Sequence, residues 1–145
     1  MHRKLTAVLS ALALVGLTTT IVFAGFHFPG AGSADTTSGS FVLNWFVVGG
    51  SEGTPLSVTL AAEGFFDCDG HQVPFGPLES PEVPILTGKG STPFTVEVGN
   101  PVPQVGCSND PHWTHAIVTL SDEHGALLDQ QPFTCEGTPE SCRPD

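Results

Sequence analysis

Five groupings in this chain have residue types and spacings that could do chemistry. His112-Trp-Thr-His115 offers two imidazoles close to Asp110. On an extended strand, however, positions three apart face opposite ways. The two rings can share one metal ion only if the backbone is irregular through Trp113. Gly25-Phe26-His27 becomes a different kind of metal site if the chain is cut after Ala24. The new amine, the amide nitrogens of Phe26 and His27 and the imidazole then offer four nitrogens in a plane, the geometry that Cu(II) and Ni(II) favour. The amides must lose protons, so affinity falls as pH drops. Gly49-Gly-Ser-Glu-Gly53 matches the G-x-S-x-G pattern of serine hydrolases. That motif needs a strand before it and a helix after it, whereas Pro55 and an alternating pattern follow here, so it reads as a turn. Asp67-Cys-Asp-Gly70 lacks the third acidic position and the distal Glu of a calcium loop, and Asp69-Gly70 reads as a tight turn. The fifth grouping is the four cysteines, Cys68, Cys107, Cys135 and Cys142. Ser, His and Asp are abundant, but no catalytic constellation forms. Neither an enzyme nor a cofactor is expected.

The N-terminus suggests where such chemistry would take place. His2-Arg3-Lys4 precedes the apolar run Leu5–Ala24, which ends in Val22-Phe23-Ala24. Basic residues, an apolar stretch and a small-residue cut site have the pattern of an export signal. Two alternatives stand beside a cut after Ala24: a cut after Ala34, or an uncleaved anchor, since about 20 apolar residues span a bilayer. All four cysteines lie beyond this segment. An even count in a small exported chain implies two disulfides, with three pairings open. Beyond Ala24 only Lys89 and Arg143 are basic, against 15 acidic residues, a net charge of −13. Such a surface repels nucleic acid and anionic lipid, and no stable membrane insertion is expected once the signal is cut.

The elements that must position these residues are strands. The 145 residues suit one domain, and 17 Gly with 13 Pro break helices. Gly25–Gly39 is small and polar and reads as a flexible linker. Phe41–Val48 is the first strand, apolar on both faces and hence central or covered twice. In Leu56–Cys68, Leu56, Val58, Leu60, Ala62, Phe66 and Cys68 share one parity, with Gly64 marking a bulge. Cys68 thus points coreward, as a buried inter-sheet disulfide would need. Gln72–Pro84 carries four prolines and reads as a stiff loop; a short strand at Ile85–Thr87 and another through Phe94, Val96 and Val98 follow. Asn109-Asp-Pro111 is turn chemistry. Trp113 plugs one end of the core. From Thr114, Ala116, Val118 and Leu120 face inward while His115, Ile117 and Thr119 face out, and Ala126–Cys135 returns as the hairpin partner. Cys142 lies seven residues after Cys135, a spacing that could clip the polar tail to the last strand.

The fold class is therefore all-β, a two-layer antiparallel β-sandwich of immunoglobulin-like kind. Residues 1–24 form the signal segment, 25–39 the linker, 40–135 the sandwich and 136–145 the clipped tail. The pieces Pro55-Leu-Ser-Val-Thr-Leu-Ala-Ala62, Cys68 before its Gly-containing turn, Val73-Pro74, Phe94-Thr-Val-Glu-Val98 and Cys107-Ser-Asn-Asp-Pro-His-Trp-Thr114 resemble a loose family of small, secreted, functionally uncharacterised bacterial β-sandwich proteins. The resemblance covers about 80 residues. It implies an exported fold, no known activity, and a Cys68–Cys107 pair, leaving Cys135–Cys142 as this chain's addition.

The expected function is an exported, non-catalytic module with a structural or binding role outside the cell or at its surface. Its expected partner is an extracellular protein or glycan, met through the Pro-rich loop at 72–84 or the acidic loops. The alternative is an exported metal binder, using Gly25, Phe26 and His27 or His112 and His115.

Overall fold

The computed structural model describes residues 25–30, 32–137 and 140–145. The expected signal segment lies outside them. Ten strands follow in order: β1 Phe26–His27, β2 Ser33–Asp35, β3 Phe41–Gly49, β4 Pro55–Cys68, β5 His71–Glu79, β6 Val83–Leu86, β7 Ser91–Val98, β8 His112–Asp122, β9 Leu127–Glu136 and β10 Ser141–Pro144. No helix occurs among the described residues, as the Gly and Pro content foretells.

The strands form two antiparallel sheets. In the smaller, β7 lies along the whole of β3, from Phe41 opposite Val98 to Val48 opposite Ser91. The other side of β3 takes β1 at Gly49 and Val48, and β2 from Asn44 to Val42. β1 and β2 are thus two pieces of one edge. The larger sheet runs β10-β9-β8-β4-β5, and β6 joins β4 beyond the end of β5. β5 and β6 likewise share one edge. Ser80 covers the break between them: its hydroxyl accepts from Leu60 N–H, and its own N–H donates to the Leu60 carbonyl.

Alternation builds the core. Phe41, Leu43, Trp45 and Val47 of β3 face Leu56, Val58 and Leu60 of β4 and Val118 and Leu120 of β8, all buried. Aromatic pairs cross the gap between the sheets. Phe41 meets Trp113 edge-on at 5.7 Å, and Trp45 meets Phe133 at 5.6 Å, geometries that add to area burial. The bulge sits where Gly64 predicts it. The β4–β8 register shifts between Glu63 opposite His115 and Gly64 opposite Trp113. Thr114 is the extra residue, which lets Trp113 and Ala116, of opposite parity, both point inward. A Cβ on Gly64 would come within 2.0 Å of the His112 carbonyl oxygen, so only glycine fits this approach.

Two expectations need correction. The segment 25–39 is not a simple linker: it supplies β1 and β2, and Phe28 is buried, stacked on Trp45 at 5.1 Å. Phe28 in the core and Phe26 packed against it dock the segment, and Phe28 N–H also donates to Asp129 on β9 at 2.8 Å. The Pro-rich stretch 72–84 is mostly strand, β5 and the start of β6. Its prolines are tolerated because an edge strand leaves alternate N–H positions facing away from the sheet. The tail is clipped by Cys135–Cys142 as its spacing suggests, and it also pairs with β9 as β10 from Ser141 to Pro144. β3 itself is central in its sheet, and Phe46 on its outer face remains 36% exposed.

Candidate binding surfaces

Both disulfides close the same end of the sandwich. Cys68 bonds Cys107 and Cys135 bonds Cys142, each with Cα atoms 3.9 Å apart. Both are cross-strand links within the larger sheet: Cys142 pairs with Cys135 in register, and Cys107 bridges to Cys68. The inter-sheet geometry expected for Cys68 is not what forms. Its parity is inward, but β4 has by then run past the core, and Cys68 is half-buried at the rim.

Around these links the loops are tied together. Ser108 N–H donates to the Asp67 carbonyl at 2.8 Å, Asn100 Nδ2 donates to the Ser38 carbonyl at 3.0 Å, and Trp113 Nε1 donates to the Gly39 carbonyl at 3.1 Å. Asp69 and Gly70 both have positive φ, 49° and 82°, the backbone of a type I′ hairpin turn. The segment between β7 and β8 is fastened at Asn100 and again at Cys107. Between these points Val102 and Val105 keep 89% and 106% of their reference exposure. Sequence reading passes over these valines because Pro101 and Pro103 break any alternation. Their one signal is an apolar residue on each side of Pro103-Gln104, in a stretch too irregular to be a strand.

The histidines singled out by spacing do not converge. His112 Nε2 lies 3.1 Å from Asp67 Oδ2, and His112 Nδ1 lies 2.9 Å from Glu140 Oε1. Phe65 stacks on the ring at 5.0 Å. A ring with protons on both nitrogens donates to both carboxylates; a neutral ring donates to one. Because the carboxylates sit at opposite nitrogens, the three groups latch the end of β4 to the Cys135–Cys142 hairpin and do not surround a common point. His115 stands instead beside Glu63, Nδ1 to Oε1 at 3.9 Å. The backbone is irregular near Trp113, yet the two rings serve different partners. Among the described residues no group of three or more His, Cys, Asp or Glu is disposed to hold a metal ion.

Gly25, Phe26 and His27 sit at the opposite end, with Phe26 opposite Gly49 and His27 opposite Val48. An antiparallel ladder commits the amide of every second residue to its neighbour. A copper chelate using the amides of both Phe26 and His27 would therefore compete with β1. At the same end, the Gly49–Gly53 turn leads into β4 and not a helix. The Ser51 carbonyl accepts from the hydroxyls of Thr54 and Thr87, both at 2.8 Å.

No protein-family model matches this chain, and a search of the curated proteins finds no match. Two disulfides point to an oxidising compartment. No helix among the described residues is long and apolar enough to cross a membrane.

Proposed function

We propose that this chain is an exported, non-catalytic, immunoglobulin-like module that binds an extracellular protein or glycan through its disulfide-tied end. The strand order supports the immunoglobulin-like reading. One sheet places the β1/β2 edge, β3 and β7 together, and the other β5/β6, β4, β8 and β9. This matches the A-B-E and C′-C-F-G groups of that architecture, with the fourth strand beside the third. The tyrosine of a tyrosine corner is missing, since the chain has no Tyr.

The observation that carries the binding role is the Val102/Val105 segment. Two fully exposed valines beside stiffening prolines contribute nothing to the core, yet the Cys68–Cys107 bond holds them at one end of a rigid scaffold. Loops placed this way are where sandwich modules carry function. A pre-organised apolar tip also loses less entropy on binding than a free one.

The test is a thermal-shift screen of the exported protein against glycans, extracellular-matrix proteins, basic peptides and metal salts, run beside a Val102→Ser/Val105→Ser variant. Anything that binds the folded state alone raises its melting temperature. The reading expects a glycan or protein that stabilises the parent and not the variant. A response confined to Cu(II) or Ni(II), lost in His27→Ala, would move the function to the metal-binding alternative at Gly25–His27.

A further inference from the structure

The outer face of the larger sheet carries a second surface, far from the tied loops in character. Two shallow cavities of about 100 and 280 Å³ meet there, and both are lined by Ala61 of β4 and Ile117 of β8. Pro77 and His115 complete the first, and Thr59 and Thr119 flank the second. The floor is low because the outward residues of β4 are small. Ile117 is left 41% exposed. Each cavity also has one carboxylate on its wall, Glu63 in the first and Glu79 in the second.

The register fixes how these carboxylates relate. Glu79 is directly opposite Ala61, and Glu63 lies two residues further along β4. In a regular ladder such diagonal neighbours are about 7–8 Å apart; here the β4–β5 register shifts between Ala62 and Gly64, at Glu63 itself. Alternate side chains of an extended chain repeat at about 6.6–6.8 Å. Glu79 has no ion-pair partner among the described residues, and Glu63 has only His115. The nearest basic residue in the ladder is Arg143 on β10, reached from Glu63 through His115 and Thr134. It lies three strands away, roughly 14 Å. Past Ala24 the net charge is −13, from Lys89 and Arg143 against 15 acidic residues, so a cation approaches along a favourable field.

We propose that this trough binds an extended segment of a partner protein carrying Lys or Arg at alternate positions. The physical fit is specific to that chemistry. A Lys or Arg side chain has an apolar stem and a charged head. The stems lie along Ala61, Ile117 and Pro77, and two successive heads reach Glu63 and Glu79. An acidic or neutral segment gains only the apolar contact, and a nucleic acid is repelled outright. This surface is separate from the Val102/Val105 end and does not depend on it.

The probe is an acetylated, amidated Lys-Ala-Lys-Ala-Lys peptide, titrated into the ¹⁵N-labelled exported protein at low salt. The expected result is shift changes centred on Ala61, Ile117 and Thr119, with affinity that weakens as salt rises. Glu63→Gln/Glu79→Gln should weaken binding about tenfold, through the loss of two charge pairs on a partly apolar floor. Glu52→Gln/Glu123→Gln removes the same charge from exposed turns and should weaken it less than about twofold. Val102→Ser/Val105→Ser should leave it unchanged. All four glutamates lie away from the core, so each variant is first shown to melt like the parent. Equal weakening by the two glutamate pairs would mean that only net charge attracts the peptide, and would overturn the proposal. So would an absence of binding, or shift changes centred on Val102 and Val105.

Discussion

At one end of the sandwich, Cys68–Cys107 and Cys135–Cys142 hold the loops covalently. At the other, the connections Gly49–Thr54, Thr87–Gly90 and Asp122–Ala126 are held by hydrogen bonds alone. Thr87 organises that second end. Its N–H donates to the Thr54 carbonyl, its carbonyl accepts from Gly53 N–H, its hydroxyl accepts from Thr54 N–H, and the same hydroxyl donates to the Ser51 carbonyl. Asp122 does the same for its hairpin, with Oδ1 accepting from His124 and Ala126 N–H, both at 2.9 Å. The difference follows connection length. Turns of a few residues satisfy their own backbone. The segment from Gly99 to Pro111 is long and Pro-rich, and its internal backbone bond is Cys107 N–H to the Gln104 carbonyl. A link across a sequence separation of 39 is worth about 4 kcal/mol in chain entropy, whereas one across a separation of 7 is worth about 2.5 kcal/mol. The longer link, Cys68–Cys107, therefore sits where local bonding is scarcest, and that is the segment carrying the exposed valines.

The largest effect expected is on what both ends share. Val118 is fully buried on β8. Val118→Asp places an unpaired charge there and should cost about 3–5 kcal/mol, enough to prevent recovery of folded protein. Thr119→Asp, on the outer face of the same strand, should cost far less. Equal losses of recovered folded protein from the two variants would mean that both faces of β8 are covered.

The next effect sharpens the contrast. Thr87→Val keeps the shape but leaves Thr54 N–H without its side-chain acceptor, at a cost of about 1–3 kcal/mol. In hydrogen exchange the loss should be confined to Gly53, Thr54 and Thr87, with Ser108 unaffected. A loss spread to Ser108 would show that the ends are not independent.

The smallest effect concerns Asp35, at the turn beside Gly39. The Thr37 hydroxyl, and then the Thr37 N–H, donate to its carboxylate and hold its pKa below the ordinary carboxylate range. A lowered pKa contributes stability above the ordinary value, and that contribution fades as pH falls through the folded one. Asp35 is fully exposed, so the contribution is minor. An NMR titration should find Asp35 below the ordinary aspartate value, and Thr37→Val should move it up. No movement would mean that the turn does not hold in solution.

Much of this architecture was legible in the sequence where period two is uninterrupted. β4 shows its inward set from Leu56 to Phe66 and its irregularity at Gly64, and β8 shows Ala116, Val118 and Leu120. Where edges are concerned the pattern fails. Pro74, Pro77 and Pro84 read as breaks, because a sequence does not show which strands need donate to only one neighbour. Phe28 follows Phe26 by two, but Pro29-Gly30 comes next, so the alternation is too short to mark the edge it anchors. The His112 latch was also hidden: Glu140 is 28 positions away, and only the β9–β10 return brings it near. The spacing of His112 and His115 was visible but misleading, since the extra residue at Thr114 shifts the register without giving them a common partner.

The Cys68–Cys107 bond, more than local hydrogen bonding, keeps the Val102/Val105 segment in place. Native-state hydrogen exchange on the parent and on Cys68→Ala/Cys107→Ala separates the two contributions. Cys107 and Ser108 N–H donate to Gln104 and Asp67 carbonyls at the tied end; Gly53 and Thr87 N–H donate to Thr87 and Thr54 carbonyls at the other. Without the disulfide, protection at positions 107 and 108 should collapse while positions 53 and 87 stay protected. Undiminished protection at 107 and 108, or an equal loss at all four, would show that the disulfide does not hold this segment.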